Sequence, residues 1–316
     1  MRVLVTGAAG YIGSCVAETL RDAGHAVTGF DSLKYGEGGA VPRGIKFIRG
    51  ELTNLNLPDC ALDAVVHLAG ESWIPLSLQD PGLFYRVNVS DAIHLLDVMR
   101  AVGIDKFIWS STSSVYAESA IPHVETDPTT PVSPYGSSKL AFEDAVKWYG
   151  VAHGLRAVTF RYFNVCGATP TCWERPYHRD RIIPKAIQAA RERKAFYLYG
   201  TDYGTADGTC VRDYVHVADV AFAHLLALEN IDRVAGETFN LGIGRSYSNR
   251  EVVEAVESLV GRSIKVIDSP RRPGDPAILT CAANKAEDLL RWAPECTCLN
   301  EMIDSVVRYM PDEEAA

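Results

Sequence analysis

The sequence contains no Cys-x-x-Cys pair, no block of lysines and arginines, and no apolar run approaching the ~18 residues of a membrane-crossing helix. Each absence excludes something. The eight cysteines are scattered, with one Cys-x-Cys at Cys296 and Cys298, so neither a metal site nor a disulfide framework is expected and reduced thiols are the default. A net charge of −9 without a basic footprint argues against a nucleic-acid or membrane partner. Any anionic ligand must then be held by a few placed cations or by backbone amides. The opening "MRVLVTG" enters a strand pattern at once and leaves no room for a signal peptide, so a soluble, cytoplasmic protein is expected.

What is present is rhythm. Short apolar runs at 3–6, 26–30, 46–48, 64–69, 107–111 and 157–163 read as buried strands, and the segments 11–23, 83–102 and 134–153 between them read as helices. Such alternation predicts an α/β fold with a doubly wound parallel sheet covered on both faces. Only "TNLNLPDCALD" separates the third strand from the fourth, which predicts a single turn or an irregular link rather than a full crossover helix. Beyond about residue 165 the pattern becomes loop-rich, with helices expected at 184–193, 218–230, 249–260 and 300–310 and a mobile tail "PDEEAA". The expected division is a dinucleotide-binding domain over 1–165 and a smaller α/β substrate lobe over 166–316, the chain being free to cross between them. A ligand cleft belongs between the two.

"VTGAAGYIG" places Gly7, Gly10 and Gly13 between the first strand and first helix, where small residues let backbone N–H groups and a helix N-terminus approach a pyrophosphate. Asp31 ends the next strand, positioned to accept both hydroxyls of an adenosine ribose and to repel a 2′-phosphate, which favours NAD over NADP; Lys34 is an opposing cation nearby. Glu51 ends the third strand, as either a second cofactor residue or a solvated edge carboxylate. Farther on, Ser133 suits an N-cap and Pro134 the first helical position, so Tyr135 and Lys139 stand one turn apart on one helix face. A tyrosine, with a pKa near ~10, becomes a plausible base only beside a cation that favours its phenolate. His67 and His216 read as satisfied strand histidines.

The GxxGxxG spacing, with "WSSTSSVY" ending a strand and "YGSSK" on the following helix, resembles the extended short-chain dehydrogenase/reductase superfamily. This implies a Rossmann-type sheet and a catalytic set of Thr112, Tyr135 and Lys139. Where the sugar-nucleotide dehydratases carry an Asp-Glu pair, this chain has Ser113 and Ser114, so dehydration loses its proton-transfer groups. "RYFNVCGA", "GTCVRDYVHVADVA" and "PRRPGD" extend the likeness over almost the whole chain and resemble the UDP-glucose 4-epimerase family. The resemblance implies NAD bound by Gly7, Gly10, Tyr11, Ile12, Gly13, Asp31, Ser32, Glu51, Leu52, Leu68, Ala69, Gly70, Asn88, Ser110, Tyr162 and Phe163 together with Tyr135 and Lys139. It implies a UDP-sugar held by Thr112, Asn164, Arg181, Ile182, Tyr199, Arg212, Tyr214, Arg272 and Asp275, with the arginines meeting phosphate and the tyrosines suited to uracil stacking and a ribose contact. It further implies a homodimer built on the helices 83–102 and 134–153, with Leu140, Ala141, Val146 and Trp148 as apolar surface.

The expected activity is NAD-dependent 4-epimerisation of a UDP-hexose through a 4-keto intermediate. Epimerisation of a hexuronate or N-acetylhexosamine, net reduction of an NDP-4-keto-sugar, dehydration as a minor case, and a non-catalytic dinucleotide-binding role are the alternatives. Departures from the usual epimerase pattern cluster near the sugar. They are Ser72 and Trp73 after "HLAG", Arg181 in "DRIIP", the loop "TCWERPYHRD", and Leu279 at the position that gates pocket size.

Overall fold

The computed structural model describes residues 1–35, 40–57, 61–174 and 181–311. Positions 36–39, 58–60, 175–180 and 312–316 lie outside the described residues, and with them Cys60, part of the link after the third strand, six residues of the loop "TCWERPYHRD" and nearly all of the expected mobile tail.

In chain order the first half comprises β1 (Arg2–Thr6), α1 (Tyr11–Asp22), β2 (Ala26–Asp31), β3 (Lys46–Arg49), β4 (Ala64–His67), α2 (Ile74–Gln79), α3 (Pro81–Tyr85), α4 (Asp91–Ala101), β5 (Lys106–Thr112), α5 (Pro134–His153) and β6 (Arg156–Tyr162). The second half comprises β7 (Asn164–Cys166), α6 (Ile182–Glu192), β8 (Ala195–Tyr199), β9 (Val211–His216), α7 (Val217–Glu229), α8 (Ile231–Val234), β10 (Thr238–Leu241), β11 (Ser246–Ser248), α9 (Asn249–Val260), β12 (Lys265–Ser269), β13 (Ile278–Leu279) and α10 (Leu299–Tyr309).

Seven parallel strands form the main sheet in the order β10-β6-β5-β4-β1-β2-β3. Strand alternation explains why both faces are apolar: Val3 and Val5 point to the side packed by α1 and α7, while Leu4 points with Val65 and Trp109 to the side covered by α4 and α5. The order reverses between β1 and β4, and ligands of such sheets bind at that switch point, outside the carboxyl ends of the strands. A short 3-10 turn (Leu52–Asn54) is described in the link between β3 and β4.

One expected element differs, and one strand was not expected. The helix expected over 83–102 is split, because Pro81 starts a short helix capped by Asp80 and a π-helical turn at Arg86–Ser90 intervenes before α4. β10, late in the chain, returns to the first sheet and pairs with β6, while α7 packs on α1. The remaining strands of the second half form a small mixed sheet around β9 and the parallel pair β8–β12, packed with α6, α9 and α10 around Ile183, Ile187, Val252 and Met302. Among the described residues, no helix is long and apolar enough to cross a membrane.

Candidate active site

The turn after β1 needs a glycine at its first position. Gly7 has φ +73°, and a Cβ there would lie 2.7 Å from the Ala69 nitrogen, so the residue permits both the left-handed turn and the approach of the β4 end. The chain then enters α1 at Gly10, whose side of the helix faces the cleft. Asp31 is fixed beside this turn by accepting from the Ala9 N–H at 3.0 Å and the Leu33 N–H at 2.8 Å. Those bonds hold its carboxylate on the cleft wall.

Ser133 caps α5 by accepting from the Gly136 N–H at 3.2 Å, and Pro134 follows at the first turn. A Cβ at Gly136 would sit 2.2 Å from the Ser114 carbonyl oxygen. Glycine therefore lets the start of α5 press against the end of β5 and brings Tyr135 to the side of the cleft that Thr112 lines. Underneath, Phe142 packs edge-on against Trp109 with ring centroids 4.8 Å apart, which fixes the helix on the sheet. The Lys139 ammonium donates to the Ser110 carbonyl at 2.9 Å, and burial lowers its pKa to about 8.

Gly7, Gly10, Tyr11, Ile12, Gly13, Asp31, Ser32, Glu51, Leu52, Leu68, Ala69, Gly70, Ser110, Thr112, Tyr135, Lys139, Tyr162 and Phe163 all line one cleft of about 480 Å³. An adjoining cleft of about 240 Å³ carries Ile182, Arg212 and Tyr214, and the two share Asn164, Arg181, Arg272 and Asp275. Alternation along β9 puts Arg212 and Tyr214 on the cleft side and turns Asp213 to the other, where it accepts from the Ile243 and Gly244 N–H groups at 2.8 and 2.9 Å. Arg212 reaches the Asp275 carboxylate at 3.9 Å, joining "RDYVH" to "PRRPGD". Burial pushes the Tyr214 phenol up, so it stays a protonated hydrogen-bond donor.

Two of the expected site residues line neither cleft. Asn88 is buried, donating to the Glu71 carbonyl at 3.0 Å and accepting from the Glu71 N–H at 2.9 Å, so its amide braces the chain after β4. Tyr199 lies under the Arg272 guanidinium at 3.8 Å, and its ring face is thus taken by a cation that does line the cleft. Tyr162 lines the cleft, and its buried hydroxyl is bonded to His224 at 2.7 Å. His67 is bonded to Thr6 at 2.7 Å and held neutral by burial, with a pKa lowered to about 3. His216 caps α7 by accepting from the Ala218 N–H at 3.1 Å.

The departures also find places. Ser72 and Trp73 line the larger cleft, Leu279 is buried against the smaller one, and Arg181 is paired with Glu174, whose negative charge is the main cause of its raised pKa. Sequence reasoning missed Glu71. It is 4% exposed, lines the cleft and holds the Lys34 ammonium at 2.8 Å, which turns that lysine toward β4.

A glycine turn at a helix N-terminus, the Asp31 carboxylate at the end of the next strand and the Tyr135–Lys139 pair line the same cleft, an arrangement that suits a dinucleotide beside a hydroxyl-bearing substrate. Residues 3–242 match the NAD dependent epimerase/dehydratase family. The UDP-glucose 4-epimerase of Azospirillum brasilense is 41% identical over 97% of this chain and 90% of its own. The UDP-glucose 4-epimerase of Bifidobacterium longum, solved with NAD+ and UDP, is 33% identical with a TM-score of 0.92 over 98% of both chains. MoeE5, solved with UDP-glucuronic acid and NAD, is 30% identical with a TM-score of 0.87 over 98% of both. The chain belongs to the NAD dependent epimerase/dehydratase family, and within it to the UDP-glucose 4-epimerase type.

Proposed function

We propose that this chain interconverts the C4 epimers of a UDP-hexose of the glucose/galactose type, with Tyr135 as the proton-transfer group. When bound, NAD supplies a reversible acceptor for the hydride of the sugar C4–H bond. Tyr135 takes the proton of the 4-hydroxyl, Thr112 orients that hydroxyl, and the Lys139 ammonium one turn away favours the phenolate. The 4-keto sugar then presents its other face, and Tyr135 returns the proton. Arg212 and Arg272 neutralise the diphosphate, Asn164 donates to the sugar or phosphate, and Tyr214 contacts the nucleoside from the smaller cleft.

The observation that carries this reading is the opening of Thr112, Tyr135, Lys139 and the Gly7 turn onto one cleft that continues into the arginine-lined one. Purified protein incubated with UDP-galactose, without added cofactor, is expected to yield UDP-glucose on chromatography. Absence of interconversion for every UDP-hexose, hexuronate and N-acetylhexosamine would sink the proposal. A hexuronate is the second reading, its carboxylate competing with Glu174 for Arg181 on the walls of both clefts, and the same screen decides it.

The protein is further proposed to act in the cytoplasm as a homodimer joined through α4 and α5. Trp148, 59% exposed on α5, supports that face, whereas Val146, expected on it, is buried in the chain's own core.

A further inference from the structure

Lys34 and Glu71 come from opposite sides of the glycine turn. Lys34 follows β2 and Glu71 follows β4, and β1, which carries the turn, lies between those strands in the sheet. Their ion pair, at 2.8 Å, therefore spans the cofactor end of the cleft, which both residues line.

Both partners are placed by backbone rather than by chance contact. Leu33 adopts φ +62°, an uncommon conformation for a side chain branched beyond Cβ, in the residue that directs the chain into Lys34. Glu71 is gripped at both its N–H and its carbonyl by the Asn88 amide, which also donates to Ser138 at 3.0 Å; Ser138 in turn donates to the Tyr135 carbonyl at 2.8 Å. The bridge is thus tied to the first turn of the catalytic helix. Its asymmetry matters as well. The Glu71 side chain is 5% exposed and the Lys34 side chain 48%, so the carboxylate is a fixed anchor and the lysine the arm that can swing open.

We propose that the Lys34–Glu71 ion pair is a clasp that retains the dinucleotide, so that cofactor leaves only when the pair opens. The inference rests on the epimerase reading to this extent: a reaction with no net redox change gains from a cofactor that stays in place. Ser72 supplies no cation on the β4 side of the cleft, and Lys34 brings one there from β2.

The test follows NAD lost from the purified holoprotein after transfer to cofactor-free buffer, with the retained NAD released by acid and quantified over time. Lys34→Met and Glu71→Gln are each expected to speed loss roughly three- to tenfold, the double variant no more than either alone, and Lys34→Arg to restore slow release. Raising ionic strength should speed loss from the native protein and leave Lys34→Met unchanged, because screening acts on the half-exposed ammonium. Loss from Lys34→Met at the native rate, or the same salt response in both, would overturn the proposal. Lys34 is exposed enough that this variant folds whether or not Glu71→Gln does. Since the readout is retained NAD, a chain that keeps its clasp and yet epimerises no sugar would sink the functional reading alone.

Discussion

At the glycine-turn end of the cleft, the shape of the wall is set by backbone: Gly7 in a left-handed turn, the Gly10 start of α1, and the N–H groups of Ala9 and Leu33 that fix the Asp31 carboxylate. At the arginine-lined end it is set by side chains, with Arg212 and Tyr214 on β9, Arg272 stacked on Tyr199, and Arg181 paired with Glu174. The difference teaches where each specificity resides. A backbone cradle fixes one ligand shape and tolerates almost no substitution, whereas a side-chain wall can be re-tuned residue by residue for another sugar without disturbing the sheet.

Substitutions at the two ends should break that contrast in opposite ways. Tyr135→Phe stands at the junction and carries the largest expected effect, a fall in kcat of about 10²- to 10⁴-fold with the bound NAD content unchanged, read by turnover and by acid-released cofactor. Gly7→Ala is expected to lose NAD and to destabilise the fold together, because φ +73° and a contact at 2.7 Å with backbone leave the methyl nowhere to go. Strain of about 1–3 kcal/mol should appear in denaturant unfolding. Arg212→Gln should leave NAD content near normal and raise KM for the UDP-sugar by roughly 10- to 100-fold, the worth of a hydrogen bond to a charged group. Leu279→Ala should shift the ratio of kcat/KM between N-acetylated and plain hexoses by about tenfold at most, while the cavity left by this buried side chain costs about 2–5 kcal/mol of stability.

The smallest effect concerns pH. With the Lys139 pKa lowered to about 8 in the folded chain, its ammonium is present at neutral pH and lost as pH rises through that value, so kcat should decline on the alkaline side. The stability sign is opposite. Between about 8 and the unfolded lysine value of ~10.4 the unfolded chain binds the extra proton, so this group makes folding more favourable as pH rises across that window. A kcat profile flat to pH 10 would remove Lys139 from the proton-transfer step.

The contrast between the two ends also marks what was legible in the sequence. The sheet, the glycine turn and the Tyr135–Lys139 spacing are local patterns, set by a strand period of two and a helix period of 3.6, and can be read without tertiary contacts. Pairs made by topology are different. Lys34 and Glu71 meet only because β2 and β4 flank β1, and no spacing rule signals it. Asn88 carried the right chemistry for a cofactor contact, but the break between α3 and α4 turns its amide to the chain after β4. Tyr199 looked free to stack on a base and instead supports Arg272, an outcome decided by pairing of β8 with β12 near the cleft wall. The return of β10 to the first sheet was likewise outside the reach of local rhythm, since it depends on β6 having an open edge.

The most direct test of a reaction in which the cofactor stays bound and Tyr135 handles the proton uses UDP-galactose carrying deuterium at C4. The mechanism requires that the UDP-glucose formed retain the deuterium at C4, with no reduced cofactor accumulating in solution. Loss of the label to solvent, or its stoichiometric appearance in free reduced cofactor, would contradict it.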